Sequence, residues 1–122
     1  MGIRGSGARA VFSKTYTSPE QIITSGGALT LAHGLGERPK SLRFTLVCNA
    51  ANINYSIGDE VDLDSVRREN SINGGLSVVV DATNIYIRYG SNATVFLLLN
   101  KSTGVGTDIT NSNWRLVVRA FA

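Results

Sequence analysis

The chain has one histidine, His33, and one cysteine, Cys48, and these two residue types most often act as catalytic bases and nucleophiles. A Ser-His-Asp arrangement would depend on His33 alone, and no nucleophile-elbow motif lies near it. We expect its imidazole to hydrogen-bond backbone at the turn His33-Gly34-Leu35-Gly36. Cys48 falls on the core-facing side of a predicted strand, where cysteine behaves as a small hydrophobe. Because neither His33 nor Cys48 lies in a catalytic pattern, we expect no catalytic residue and predict that the protein is not an enzyme.

One acidic segment, residues 59–64, is the candidate cation site. Glu60, Asp62 and Asp64 would share one face of a strand and present oxygen ligands of the kind that calcium accepts. The glycine and distal glutamate of an EF-hand loop are absent, and charges that deter pairing at a sheet edge are the alternative interpretation. With one cysteine and one histidine, multi-cysteine and histidine-rich metal sites are excluded, and no cofactor is expected.

Four segments alternate apolar and polar residues with the period of two that is typical of half-buried strands. They are Ser41 to Cys48, Leu76 to Val80, Ile85 to Tyr89, and Trp114 to Phe121. The turn-forming residues Asp81 to Asn84 between two of them predict a hairpin. Shorter strands are expected at Ala10 to Thr15, Ala28 to His33 and Asp59 to Leu63. With glycine clusters between the strands, the pattern predicts an all-β protein, an antiparallel β-sandwich such as a jelly roll, of about six to eight strands.

Helical signals are weak. Ser18-Pro19-Glu20-Gln21 has the form of a capped first turn, and Asp64 to Asn70 is a second candidate turn. No apolar run reaches the roughly 20 residues that a membrane helix needs. The first residues lack the apolar stretch of a secretory signal, so neither membrane insertion nor export by that route is expected.

The net charge of +3 comes from the beginning of the chain, where Arg4, Arg9 and Lys14 are the only charged residues before Glu20. We divide the chain into a basic, glycine-rich arm, residues 1–19, and a sandwich domain, residues 20–122. The arm is expected to anchor the protein on an acidic surface, and a solvated terminus is the alternative. Because the body has no basic surplus, we expect no specific nucleic-acid binding.

The segment from Thr94 to Asn100 is apolar on both faces, which predicts that something covers its outer side. We expect another subunit to do so, with an interface formed by Val95, Phe96, Leu97, Leu98, Val117 and Phe121. The last two residues lie on the nominal outer face of the final strand. The alternative is that a loop of the same chain covers Phe96 and Leu98.

Three stretches carry a resemblance to known proteins: Ala28 to Gly36 followed by Pro39, Tyr55 to Val61, and Asp81 to Arg88. Over roughly residues 15–122 the chain resembles small surface proteins of tailed-bacteriophage virions, such as head decoration proteins, head fibres and tail-fibre modules. More distantly, Pro39 before a strand, the turn at 81–84 and a final strand led by Trp114 are similar to the H-type lectin sandwich, a trimeric module. The tryptophan and aspartate pattern that this lectin uses around its sugar site is not reproduced here. The likeness therefore implies a similar fold and does not imply sugar binding.

The resemblance implies a structural protein of the virion, assembled in the host cytoplasm, whose partners are other capsid or tail proteins. We expect an oligomer because burying a shared apolar face adds about 25 cal/mol per Å² of stability, and a homotrimer because symmetric capsid or tail sites favour cyclic trimers. The alternative function is a carbohydrate-binding module that recognises host surface glycans through Tyr55, Tyr86, Tyr89 or Trp114. A small hydrolase would depend on His33.

Overall fold

The structure, a computed structural model, describes residues 12–63 and 72–122, and this part of the chain is all-β. It contains a single 3₁₀ turn, Asn111–Asn113, and no helix that is long and apolar enough to cross a membrane. The strands are β1 Thr15–Thr17, β2 Gln21–Ile22, β3 Ala28–Ala32, β4 Ser41–Cys48, β5 Glu60–Leu63, β6 Leu76–Val80, β7 Asn84–Tyr89, β8 Leu97–Leu99, β9 Gly106–Asp108 and β10 Trp114–Phe121.

Strands β1, β10, β4 and β5 form the large sheet in that order, and β2 pairs with β10 beside β1. Every pairing is antiparallel, and β10 follows β4 over its whole length, from Trp114 opposite Cys48 to Phe121 opposite Ser41. Both strands alternate in sequence, so their apolar positions fall on one common face in this register. The bounds of β4 and β10 agree with the sequence prediction.

The small sheet has the order β3-β7-β6, and the segment 81–84 closes the β6–β7 hairpin as predicted. The carboxylate of Asp81 accepts hydrogen bonds from the backbone amides of Thr83 at 2.9 Å and Asn84 at 2.7 Å. An aspartate that bonds backbone amides two and three residues ahead fixes a turn locally. Strand β3, the other neighbour of β7, places Leu31 opposite Ile85.

A short β8–β9 hairpin makes a third, two-stranded sheet, and the inner faces of all three sheets share one core. The fully buried side chains include Trp114, Tyr89, Phe96, Leu46, Ile85, Leu116 and Val118. The predicted antiparallel sandwich class is therefore confirmed, as an open arrangement of layers. The described residues contain ten strands instead of the expected six to eight, because short pairings such as β2 and β9 carry no alternation long enough to predict them.

The segment before β3 differs from the sequence prediction. Ser18 does not cap a helical turn, because its hydroxyl donates to Pro19 O and accepts from the backbone amide of Val118 at 2.9 Å. The chain continues extended into β2, so pairing with β10 overrides the local capping signal. Strand β1 begins at Thr15, the last residue of the strand predicted from Ala10, and residues 12–14 are not part of a strand; Ala10 and Val11 lie outside the described residues. The predicted turn at residues 64–70 lies outside the described residues.

The predicted arm is not separate from the sandwich along its described part. Lys14 exchanges two backbone hydrogen bonds with Ala122, and Thr15 to Thr17 pair with the far end of β10. Pairing to the last strand therefore fixes residues 14–17 to the large sheet.

Candidate binding surfaces

Both ring nitrogens of His33 are bonded to backbone. Nδ1 accepts the amide proton of Leu35 at 3.0 Å, and Nε2 lies 2.9 Å from the carbonyl oxygen of Asp81, to which it donates. The predicted role of the imidazole at its own turn is confirmed, and the bond to Asp81 adds a partner 48 residues away. His33 is buried, so it ties the loop after β3 to the β6–β7 hairpin.

Cys48 lies on the inner face of β4, as predicted, and is buried. Its Sγ donates a weak hydrogen bond to the carbonyl oxygen of Ala50 at 3.2 Å. Burial raises the pKa of the thiol, which disfavours the thiolate that a nucleophile or metal ligand requires.

The described part of the acidic segment, residues 59–63, lies at the edge of the large sheet, where Glu60 and Asp62 point outward. Asp62 accepts from Arg43 at 2.7 Å and from the hydroxyl of Thr45 at 2.9 Å. These two hydrogen bonds lower the pKa of the Asp62 carboxyl, and the arginine contributes more. Arg119 lies 3.9 Å from Glu60 and donates to Thr45 at 3.1 Å.

These side chains therefore form a charge network on the outer face of the large sheet, in which both carboxylates already have cationic partners. Asp64 lies outside the described residues. Residues 12–63 and 72–122 contain no group of three or more histidine, cysteine, aspartate or glutamate side chains placed to hold a metal ion.

The predicted subunit contact divides into two groups. Val95, Phe96 and Leu98 are buried in the core, and the ring of Phe96 meets Tyr89 edge-on with centroids 6.2 Å apart. The same chain covers them, which is the alternative that the sequence left open. These three side chains are therefore not available for the expected contact with a second subunit, which corrects that part of the predicted interface. Regular strand geometry covers only Leu97–Leu99, and Val95 and Phe96 lie in the preceding loop.

Leu97, Val117 and Phe121 are not part of the core cluster. Leu97 and Phe121 are half-buried. Val117 shares the outer face of β10 with Phe121 but is only 6% exposed, and Arg119 lies between them on that face. The ring of Phe121 contacts Phe12 with centroids 5.8 Å apart, and Phe12 is 40% exposed. Beside the other end of β10, Ile22 is 63% exposed.

We call Phe12, Ile22, Val117 and Phe121 the β10 stripe. Lys14, a predicted anchoring residue, lies beside it and binds Glu37 at 2.8 Å. Arg4 and Arg9, the other anchoring residues, lie outside the described residues. The chain therefore reaches the described fold next to the Phe12 end of the stripe.

The aromatic residues proposed for glycan contact occupy different environments. Trp114 and Tyr89 are buried, and burial raises the pKa of the Tyr89 hydroxyl. Among the residues that the structure describes, the Tyr89 hydroxyl has no hydrogen-bond partner. Tyr55 is half-buried, meets Trp114 edge-on at 5.3 Å and donates to Leu99 O. Tyr86 is 38% exposed and is the one of the four that presents its ring to solvent.

A tight turn positions Tyr55. Asn52 and Tyr55 exchange backbone hydrogen bonds across Ile53 and Asn54, whose φ angles are +42° and +69°. A β-branched residue in this left-handed region is strained, and the surrounding structure must hold it there. The side-chain oxygen of Asn52 does so by accepting from Trp114 Nε1 and from Thr110 N, both at 3.0 Å. Tyr55 is therefore part of a rigid polar corner next to the core.

Tyr86 lies on the outer face of the small sheet, between Thr30 of β3 and Val79 of β6 in register. We call this surface the open face; its members are Thr30, Ser77, Val79, Tyr86 and Arg88. The Tyr86 hydroxyl donates to Asp81 at 3.1 Å and lies 3.2 Å from Asn84 Nδ2. The two backbone amides of the hairpin turn hold the pKa of Asp81 at about 2. The ring of Tyr86 is therefore fixed in orientation while exposed.

At the end of the open face away from the hairpin turn lies a cavity of about 510 Å³ that is broadly open to solvent. Arg88 and Ser77 line it from the sheet, and the loops at 72–75 and 90–91 form its other walls. Sequence reasoning did not single out Arg88 or this cavity. The available signal was the alternation of Asn84, Tyr86 and Arg88 opposite the apolar positions of β7, next to Gly74-Gly75 and Gly90.

Comparison of the chain with protein-family models, with curated proteins and with solved structures finds no match.

Proposed function

We propose that this chain is a non-catalytic surface protein of a tailed-bacteriophage particle, which acts by associating with copies of itself and docking on capsid or tail proteins. The observation that carries the proposal is the Phe12 end of the β10 stripe, where the partly exposed Phe12–Phe121 ring pair lies beside the point at which the basic beginning of the chain meets the fold. The sequence resemblance to small virion proteins supplies the class of particle.

The chemistry of the stripe supports an assembly role. Phe12 and Ile22 expose 40% and 63% of their surface, and the Phe12–Phe121 ring pair lies at the margin of the large sheet. Exposed apolar groups near one another mark association surfaces, and aromatic side chains contribute most to such contacts. The adjacent charge network is internally paired, so a partner needs no buried counter-charge to cover it.

Replacing Phe12 by Ser together with Phe121 by Thr tests the stripe. We expect a smaller native mass in solution and at least tenfold lower occupancy on particles, because the apolar contact area is lost. The matched control is Val79→Thr, which removes an exposed apolar side chain from the opposite sheet. Unchanged mass and unchanged occupancy in the double variant would contradict the proposal.

Replacing Arg4 and Arg9 by Ser separates self-association from anchoring. If the basic beginning of the chain docks on an acidic particle surface, occupancy falls relative to the wild type, most strongly at low salt where the charges are least screened, while the native mass stays constant. Arg38→Ser, an exposed arginine in the loop before β4, is the control for loss of positive charge. Normal occupancy of the Arg4 and Arg9 variant would remove the anchoring role.

Glycan recognition is the second candidate function, and the exposed, fixed ring of Tyr86 favours it. A tyrosine held by Asp81 and Asn84 loses little side-chain entropy when it stacks on a sugar ring. Of the aromatic residues considered for this role, Trp114 and Tyr89 are buried within the chain. This function therefore rests on the open face and on Tyr86.

A further inference from the structure

We propose that the cavity at the Arg88 end of the open face binds a sugar that carries a carboxylate, such as a uronic or sialic acid. The inference rests on the second candidate function, glycan recognition, and specifies its ligand class. It is independent of the assembly role of the β10 stripe, which lies on the other sheet.

The charge of the cavity selects an anionic group. Among the described residues that line the cavity, Arg88 is the one charged side chain, and none is an aspartate or a glutamate. Arg88 Nη1 donates to the carbonyl oxygen of Gly26 at 3.0 Å, which holds the guanidinium in place. A guanidinium has five N–H donors in a planar fork that matches a carboxylate, so the group retains donors for a ligand.

The walls of the cavity are formed before any ligand arrives. Gly90 accepts a hydrogen bond from Gly26 N and donates one to Gly75 O, each 2.8 Å long, which joins three loops. A Cβ atom at Gly90 would collide with the carbonyl oxygen of Asn73, so the close approach of these loops requires glycine. A preformed site loses less conformational entropy on binding than one that must be ordered.

The remaining chemistry fits a sugar better than a simple anion. The volume of about 510 Å³ lies within the range of small-molecule sites and exceeds what a lone carboxylate or phosphate fills. The exposed hydroxyls of Ser77 and Ser91 line the cavity and can pair with sugar hydroxyls. Tyr86 follows the same strand face two residues away, about 7 Å, and offers an aromatic ring to the C–H face of a second residue.

The test is calorimetric titration of the intact protein with glucuronate and N-acetylneuraminate, beside glucose, acetate and inorganic phosphate. We expect saturable binding of at least one acidic sugar, at least tenfold tighter than that of glucose, acetate or phosphate. Arg88→Gln should weaken it at least tenfold, and Arg88→Lys should weaken it less because the charge remains. The matched control is Arg115→Gln, since Arg115 also donates to backbone carbonyls, on the other sheet.

The outcomes separate this inference from glycan recognition itself. If neutral sugars bind as well as acidic ones and Tyr86→Ala abolishes binding while Arg88→Gln does not, glycan recognition stands and the acidic-sugar site is refuted. If acetate or phosphate binds as tightly as the acidic sugars, the cavity is a general anion site and the inference fails. If no sugar binds, both fail. The thermal midpoints of Arg88→Gln and Arg88→Lys show whether a loss of binding comes from unfolding. If both variants are folded, loss of binding in Arg88→Gln together with retained binding in Arg88→Lys supports the site.

Discussion

The outward surfaces of the two sheets have the same alternating backbone pattern but different side chains: those of the large sheet include a network of paired charges, and those of the small sheet are mostly uncharged and exposed. On the large sheet, Arg43, Asp62 and Arg119 surround Thr45, whose side chain is fully buried although it points away from the core. On the open face of the small sheet, Val79 is 64% exposed and Arg88 is the one charged residue of the three strands.

The difference shows that an outward strand position has two possible uses. Where cross-strand neighbours are complementary, as Thr45 is with Asp62 in the register of β4 and β5, the side chains satisfy one another. Where the neighbours are small or uncharged, as around Tyr86, the backbone pairing is the same but the outward side chains remain exposed to solvent. The large sheet thus uses its outer face for internal structure, except along the β10 stripe, and the small sheet leaves much of its outer face exposed to solvent.

The largest expected effect is a difference in the free energy of unfolding between two threonine substitutions, one on each outward face. Thr45→Ala removes a buried hydroxyl that bonds two charged groups, and we expect it to lower the free energy of unfolding by about 1–2 kcal/mol, since both charged partners reach water. Thr30→Ala, at an exposed position on β3, should change it by less than about 0.5 kcal/mol. Urea denaturation of both variants measures the contrast, and equal effects would remove the distinction between the faces.

An intermediate effect comes from acid and Asp81, which orients Tyr86. Its pKa lies at about 2 in the folded chain against the usual 3.8, so its contribution to stability is complete above pH 4 and lost as pH falls towards 2. Asp81→Asn keeps an oxygen for the turn amides and removes the titration. The thermal midpoint of the wild type should exceed that of the variant at pH 5 by more than it does at pH 2. A difference that does not vary with pH would show that the charge of Asp81 does not stabilise the hairpin.

The smallest expected effect is that of Val79→Thr. Since Val79 is 64% exposed and both residues favour strands, the free energy of unfolding should change by less than about 0.5 kcal/mol. Denaturation at several protein concentrations makes the test sharper. A larger loss that depends on concentration would mean that a second copy covers the open face, and the comparison between the faces would then be wrong.

Sequence reasoning succeeded where one local pattern was sufficient. The alternation of Ser41 to Cys48 and of Trp114 to Phe121 predicted both central strands, and the residues at 81–84 predicted the hairpin. These signals are local because a strand face and a turn depend on neighbours a few residues apart.

Prediction failed where distant contacts decide the structure. The apolar run around Phe96 appeared to need a second subunit, yet residues far along the chain cover it. The capping signal at Ser18 lost to pairing with β10. For Tyr89 and Trp114 the sequence did hold the answer, because each alternates in phase with the apolar core positions of its own strand. Arg88 was visible on the outer face of β7, but the cavity beside it is built from loops that no local pattern places together.

The position of Cys48 provides a direct way to measure how often the core beside the large sheet opens. As the one thiol of the chain, at 1% exposure and packed against the corner at residues 50–55, it can meet an alkylating reagent only when the core opens at this end of β4. The rate of labelling under native conditions therefore reports the free energy of that local opening. It also separates ligands and partners that stabilise the whole core from those that only cover its outside.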